Sequence, residues 1–182
     1  QNIADAQHAN GAVPTTAPEY VVFEGPGMDA FAESPEWGCT FVVLPFMYYE
    51  TYGDDSLIRK YYNGMRRYID YMTTRANDGI VSFGLGDWYD YGDFRAGFSR
   101  NTPVPLVATA HYYMVVRYLV EAARMLDNRY DVAYYTHLGE EINKAFHREF
   151  YHKDTRQYGT GSQCSNALPL FLGMVPADDR QA

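Results

Sequence analysis

Basic residues are scarce in this chain, with 15 Lys and Arg against 23 Asp and Glu, a formal net charge of -8 and a pI near 5.0. That balance disfavours nucleic acid and anionic membrane surfaces as partners, because both call for a basic patch. Cysteine is nearly absent. Cys39 and Cys164 lie far apart and show no metal-ligand spacing, so each reads as a small buried hydrophobe, with a disulfide as the alternative. The five histidines form no i, i+4 pair with each other, and no HExxH, CxxC, GxGxxG or P-loop pattern occurs, so neither a metal nor a cofactor is expected. Long apolar runs are also missing. The longest, Phe41 to Tyr49, is too short to span a bilayer and is broken by Pro45. No signal-peptide pattern opens the chain, which leaves the compartment unwritten.

Aromatic residues, by contrast, make up 16 per cent of the 182 residues, with 18 tyrosines. Tyrosine has an apolar body and a polar tip, which suits a helical core and also a cleft that handles carbohydrate. The richest stretch is 84–95, Gly-Leu-Gly-Asp-Trp-Tyr-Asp-Tyr-Gly-Asp-Phe-Arg, with three carboxylates and four rings. Flat rings stack on the apolar faces of a pyranose. Asp87, Asp90 and Asp93 can accept hydrogen bonds from its hydroxyls or take part in acid/base chemistry. Glycines 84, 86 and 92 are expected at positive φ, turning these side chains toward one point. A solvated acidic loop between two helices would have the same composition.

Hydrophobic periodicity sets the architecture. Residues 1–10 read as the last turns of a helix, and 11–35 as a long, ordered irregular segment. Ser34-Pro35-Glu36 is a helix-start signature, and the helix it opens, to about Tyr52, is apolar all round, so it is expected to be buried on every side and kinked at Pro45. Trp37 falls in its first turn. From Ser56 to about Arg75, Leu57, Tyr61, Met65, Tyr68 and Met72 form one stripe with charges away from it, and Gly64 suggests close packing. Thr102-Pro103 repeats the cap-and-proline device before a largely apolar helix to about Leu126, and an amphipathic helix follows to about Tyr151. Gln163 to Leu172 is a short apolar helix stopped by Gly173. Dry helices alternating with half-wet ones predict two concentric rings of helices, an all-α fold. The loops around Trp37 and Trp88 should then open on one end, over a single cavity.

Five segments carry a resemblance: Pro14-Thr-Thr-Ala-Pro18, Ser34-Pro-Glu-Trp-Gly38, Tyr52-Gly-Asp54, Gly86-Asp-Trp88 and Gly161-Ser-Gln-Cys-Ser-Asn-Ala-Leu-Pro169. In this order and at these spacings the chain resembles the catalytic domain of bacterial α-L-rhamnosidases of glycoside hydrolase family 78. The resemblance implies an (α/α)6 toroid, about half of it present in 1–182 as a partial domain truncated at both ends. It implies hydrolysis of terminal α-L-rhamnosides with inversion, using two carboxyl groups about 6.5 to 9.5 Å apart. The family's general acid would lie just upstream of the segment matched by Gln1 to Gln7, and its general base downstream of that matched by Ala167 to Pro176. The implied partners are a rhamnose-containing glycoside or polysaccharide and the remainder of the catalytic domain. Trp37 and Trp88 match the family's rhamnose-walling tryptophans, Asp87 is the expected hydroxyl-binding carboxylate, and Tyr89 and Tyr91 join them as substrate-binding residues. Two other readings stay open: a non-catalytic carbohydrate-binding or scaffold domain of this fold, and another toroid glycosidase using the acids of 87–93.

Overall fold

The structure is a computed structural model and describes residues 1–180. Its helices are α1 (Asn2–Ala6), α2 (Asp29–Ala32), α3 (Pro35–Gly38), α4 (Thr40–Tyr52), α5 (Ser56–Arg75), α6 (Val104–Met125), α7 (Arg129–Phe150) and α8 (Gln163–Phe171). Two small antiparallel ladders join them, β1 (Asp90–Gly92) with β2 (Phe94–Gly97), and β3 (Tyr151–His152) with β4 (Gln157–Tyr158).

The central element is α6. It packs along α7 and also touches α3, α4, α5 and α8. Its sequence explains why: Leu106, Ala108, Ala110, Val116, Leu119, Ala122 and Ala123 are fully buried, while Arg117, Glu121 and Arg124 keep one narrow wet stripe. Small residues let neighbours approach, and each large apolar side chain removed from water contributes about 1.5–3 kcal/mol. Thr109, a fully buried hydroxyl within this helix, takes the N–H of Val81 at 3.0 Å and donates to the Val81 carbonyl at 3.2 Å. The segment that follows α5 is thus fastened to α6 at Val81, and Asn77 and Ile80 form an isolated bridge within it.

The outer helices follow their patterns with one shift. On α5, Met65, Tyr68 and Met72 are buried as predicted, but Ile58, Tyr62 and Ile69 go deeper than Leu57 and Tyr61. Tyr62 turns inward because its hydroxyl has a buried acceptor, donating to Asp131 of α7 at 2.7 Å. Gly64 is packed against α4, where an added Cβ would lie 2.7 Å from the Phe41 ring. On α7, Tyr135, Ile142, Phe146 and Phe150 face the core and Glu140, Glu141, Lys144 and Arg148 face water.

Two expectations need correction. The helix opened by Ser34 is interrupted at Cys39, dividing α3 from α4. Within the described chain α4 is dry on one face only: Phe41, Val42, Pro45 and Phe46 are buried, whereas Leu44, Met47 and Tyr52 are exposed. The reason is that its main neighbours among the described residues, α3, α5 and α6, cover one side of it.

Asp131 ties α5 to the start of α7, since it also receives Asn128 Nδ2 at 2.8 Å and faces Arg66 Nε at 3.4 Å. Asp131→Ala leaves the buried Tyr62 hydroxyl without its acceptor and removes the carboxylate that faces Asn128 and Arg66, and should cost about 2–4 kcal/mol in chemical denaturation. Glu141→Ala on the wet face of α7 should change stability by less than about 0.5 kcal/mol.

Candidate functional site

The acidic, aromatic stretch is held by the residues that read as a helix start. Ser34, fully buried, does not cap α3 with its side chain. Its hydroxyl donates to Glu36 Oε2 and accepts the N–H of Leu85 at 3.0 Å. Glu36 Oε1 accepts the N–H of Gly86, also at 3.0 Å. The glycines permit this clasp. Gly84 lies at φ 125°, and a Cβ there would stand 2.7 Å from Glu36 Oε2 and 2.8 Å from Pro35 Cδ. Gly86 lies at φ 69°, hard against Ser99. Gly92 does not take a positive φ; Gly97, at φ 143°, does. Gly92 is instead the end of β1, paired with Phe94 across the tip of a short hairpin that the sequence reading did not anticipate.

The second cap-like hydroxyl is diverted in the same way. Thr102, fully buried, makes no side-chain cap for α6 and donates to Asp87 Oδ2 at 3.1 Å. It also meets Ser162 Oγ at 2.7 Å, and Ser162 Oγ lies 2.8 Å from the hydroxyl of the buried Ser165 while capping α8. Asp87 is therefore backed by a file of hydroxyls running into the start of α8. Cys164 lies beside it, and its thiol is pushed up to about 11 by burial and by the Asp87 carboxylate. Cys39 is pushed up to about 12 by burial and the nearby Glu36.

Asp90 has a different part. Its carboxylate accepts four N–H groups: backbone Arg100 at 2.6 Å, Asn101 at 2.7 Å and Tyr91 at 2.8 Å, plus Asn101 Nδ2 at 2.6 Å. The Arg100 and Asn101 amides hold its pKa below the ordinary carboxylate value. A general acid needs the opposite shift. Asp90 is thus the clamp of the hairpin base, and Asp93 stands exposed at its tip.

Asp87 and Tyr91 line one open depression of about 850 Å³, with Arg100, Asn101, Ser162 and Cys164. Trp88 and Tyr89 line another, of about 440 Å³, with Arg95, Phe98 and Arg100. Trp37 lines a third, with Pro14, Thr15 and Ala17. The expectation that both indoles border one cavity is not met among the described residues, although the clasp places their loops together. Trp88 is turned into a cluster of its own, edge-on to Phe31 at 5.3 Å and to Phe98 at 5.5 Å. Phe31, Phe98 and Ser162 escaped the sequence reading, although Ser162 lies inside a quoted segment, and Thr102 read only as a helix cap. Among the described residues no three His, Cys, Asp or Glu side chains converge as metal ligands.

A dry helix flanked by half-wet ones, with acid- and ring-bearing loops gathered at one end, defines a piece of a helical-hairpin toroid. The chain belongs to the bacterial alpha-L-rhamnosidase 6 hairpin glycosidase domain family, whose model matches residues 1–182. It is 28% identical over 153 residues to an alpha-L-rhamnosidase of Formosa agariphila, covering 79% of this chain and 16% of that protein. The structure of an alpha-L-rhamnosidase from Dictyoglumus thermophilum superposes with a TM-score of 0.87 at 28% identity, covering 99% of this chain and 20% of that one. The Streptomyces avermitilis enzyme, solved with L-rhamnose, gives 0.82 at 25% identity, covering 99% and 16%. The chain thus spans 16 to 20% of the length of these relatives.

The Asp90 clamp has a definite pH dependence. Its folded pKa lies below the ordinary 3.8, so its stabilising contribution is complete above that value and is lost as pH falls through the lower folded value. Protection of the Arg100 and Asn101 amides against hydrogen exchange should hold at neutral pH and fall only below pH 3.8. In Asp90→Asn it should already be reduced at neutral pH.

Proposed function

We propose that this chain forms part of the catalytic domain of an inverting glycoside hydrolase acting on terminal α-L-rhamnosides, and that it supplies a wall of the sugar pocket. The observation that carries the reading is the clasp, which sets a hydroxyl-backed carboxylate, Asp87, next to an aromatic ledge begun by Trp88. The match of the family model to the whole chain supports it, and one similar protein was solved with L-rhamnose.

In this reading Asp87 accepts hydrogen bonds from sugar hydroxyls, with the Thr102 hydroxyl fixing the orientation of its other face. Trp88, about one-third exposed, offers ring surface to the apolar side of the sugar, including its methyl group, while Trp37, similarly exposed, borders a separate depression. The more exposed Tyr89 and Tyr91 extend that surface. Inversion needs two carboxyl groups, one protonated on the leaving oxygen and one activating water from the other side. Asp90 is committed to four N–H donors, which leaves Asp87 as the unclamped carboxylate of its depression. The acid and the base therefore come from elsewhere in the enzyme, and the segment binds and orients.

An aryl α-L-rhamnoside assay tests this. The full-length enzyme should release the aryl group, residues 1–182 alone should not, and Trp88→Ala in the full-length enzyme should lower kcat/KM roughly tenfold to a hundredfold through lost stacking. Turnover by the isolated segment would overturn the division of labour. Rhamnose binding without turnover by the full-length protein would favour a carbohydrate-binding domain instead.

A further inference from the structure

Two helix starts bring hydroxyls to the same carboxylate. Thr102, in the lead-in to α6, and Ser162, the cap of α8, stand 60 residues apart in the chain, yet their Oγ atoms meet at 2.7 Å beside Asp87. A hydroxyl that only began a helix would accept a backbone N–H and leave its own proton to water. Thr102 makes no side-chain cap and is fully buried. Ser162 does cap α8, accepting the N–H of Ser165 at 3.1 Å, and it still meets Thr102. Ser165, also fully buried, adds a third hydroxyl 2.8 Å from Ser162. The protons follow by count, since each hydroxyl donates once and an aspartate carboxylate only accepts. Thr102 gives its proton to Asp87 Oδ2 at 3.1 Å, so at the 2.7 Å contact Ser162 is the donor and Thr102 the acceptor. With the Ser162 proton so used, the Ser165 hydroxyl supplies the proton of the 2.8 Å contact. All three O–H dipoles then run toward Asp87.

We propose that Ser162 and Ser165 are positioning residues for sugar binding, which through Thr102 form a one-way chain of donors that fixes the Asp87 carboxylate at the edge of its depression. The inference rests on the function proposed above and extends that site to side chains of α8 acting at second hand. Donors in series polarise one another, each bond strengthening its neighbour by about 10–30%. The carboxylate is thereby held in one orientation before the sugar arrives, and less freedom is lost on binding. The far end of the chain is firmly seated. Asn166 Oδ1 accepts the N–H of Tyr158 at 2.9 Å, and the Asn166 amide donates to the Gly161 carbonyl at 3.4 Å, closing the turn that leads into α8. Thr160 donates to the carbonyl of Asn101, the residue before Thr102, and so ties the two helix starts together a second time. Thr160 Oγ1 lies 3.5 Å from the Ser165 hydroxyl, too far to compete with Ser162 at 2.8 Å.

The test uses the full-length enzyme and an aryl α-L-rhamnoside. Thr102→Val should raise KM about tenfold, and Thr102→Ser, which restores the hydroxyl, should return it to within about twofold of the wild type. Ser165→Ala removes only the last donor and leaves the cap of α8, so it should raise KM about threefold in a fully folded protein. In the Thr102→Val background the same change should add nothing, because the chain is already cut. A residue that merely filled the core would lower the melting temperature and leave KM alone. Unchanged KM in Ser165→Ala, or its full factor on top of Thr102→Val, overturns the proposal and leaves rhamnoside hydrolysis intact. Should Thr102→Val not fold, Ser165→Ala decides by its own KM. If the wild type fails on the aryl rhamnoside, it is the proposed function that falls, and crystal structures decide the chain. An Asp87 carboxylate turned from its wild-type orientation in Ser165→Ala sustains it; an unmoved one refutes it.

Discussion

Everything at the ring-bearing end of this molecule depends on two backbone N–H groups finding acceptors on the neighbouring helix start. Leu85 and Gly86 turn their amides onto Ser34 and Glu36, in a place where Ser34 and Leu85 are fully buried. A buried amide without a partner costs about 1–3 kcal/mol, so the loop cannot lift away cheaply. Approach this close is possible only where no side chain intervenes, which is the physical reason for Gly84 and Gly86. The geometry of Asp87 and Trp88 is a consequence, because they follow immediately in the chain.

The clasp itself rests on α6. That helix supplies the fully buried Thr109 under Val81, and its lead-in residue Thr102 supports Asp87. From there the polar contacts pass through Ser162 to α8, while Asp90 draws the hairpin base onto Asn101. Rings on a mobile loop would lose orientational freedom on binding a sugar; rings on a loop fastened at four places have given up most of it during folding. The arrangement of dry core and wet outer helices therefore serves the site by giving it a stiff floor.

Much of this was legible in the sequence because helix periodicity is a local signal. The long helices α5, α6 and α7 and the stop at Gly173 follow from it directly. What could not be read was direction across space. Ser34 and Thr102 carry every mark of helix caps, yet their hydroxyls are spent on a loop some 50 residues away and on a neighbouring aspartate, since a buried tertiary acceptor or donor outweighs an exposed cap. Asp87 and Asp90 look alike in the one-letter code; only the donors around them separate a carboxylate open to ligand from one committed to holding a hairpin. The shared cavity for the two indoles failed because Phe31, from a segment with no periodic signal, fills the side of Trp88.

The most direct measurement is hydrogen exchange by mass spectrometry on the protein and its Ser34→Ala/Glu36→Ala variant. The account predicts that peptides spanning 85–91 lose protection by about tenfold or more while those of α6 keep theirs, because the acceptors of Leu85 and Gly86 are gone and the core is not. Unchanged protection at 85–91 would contradict it, showing that the loop is held by something other than the clasp.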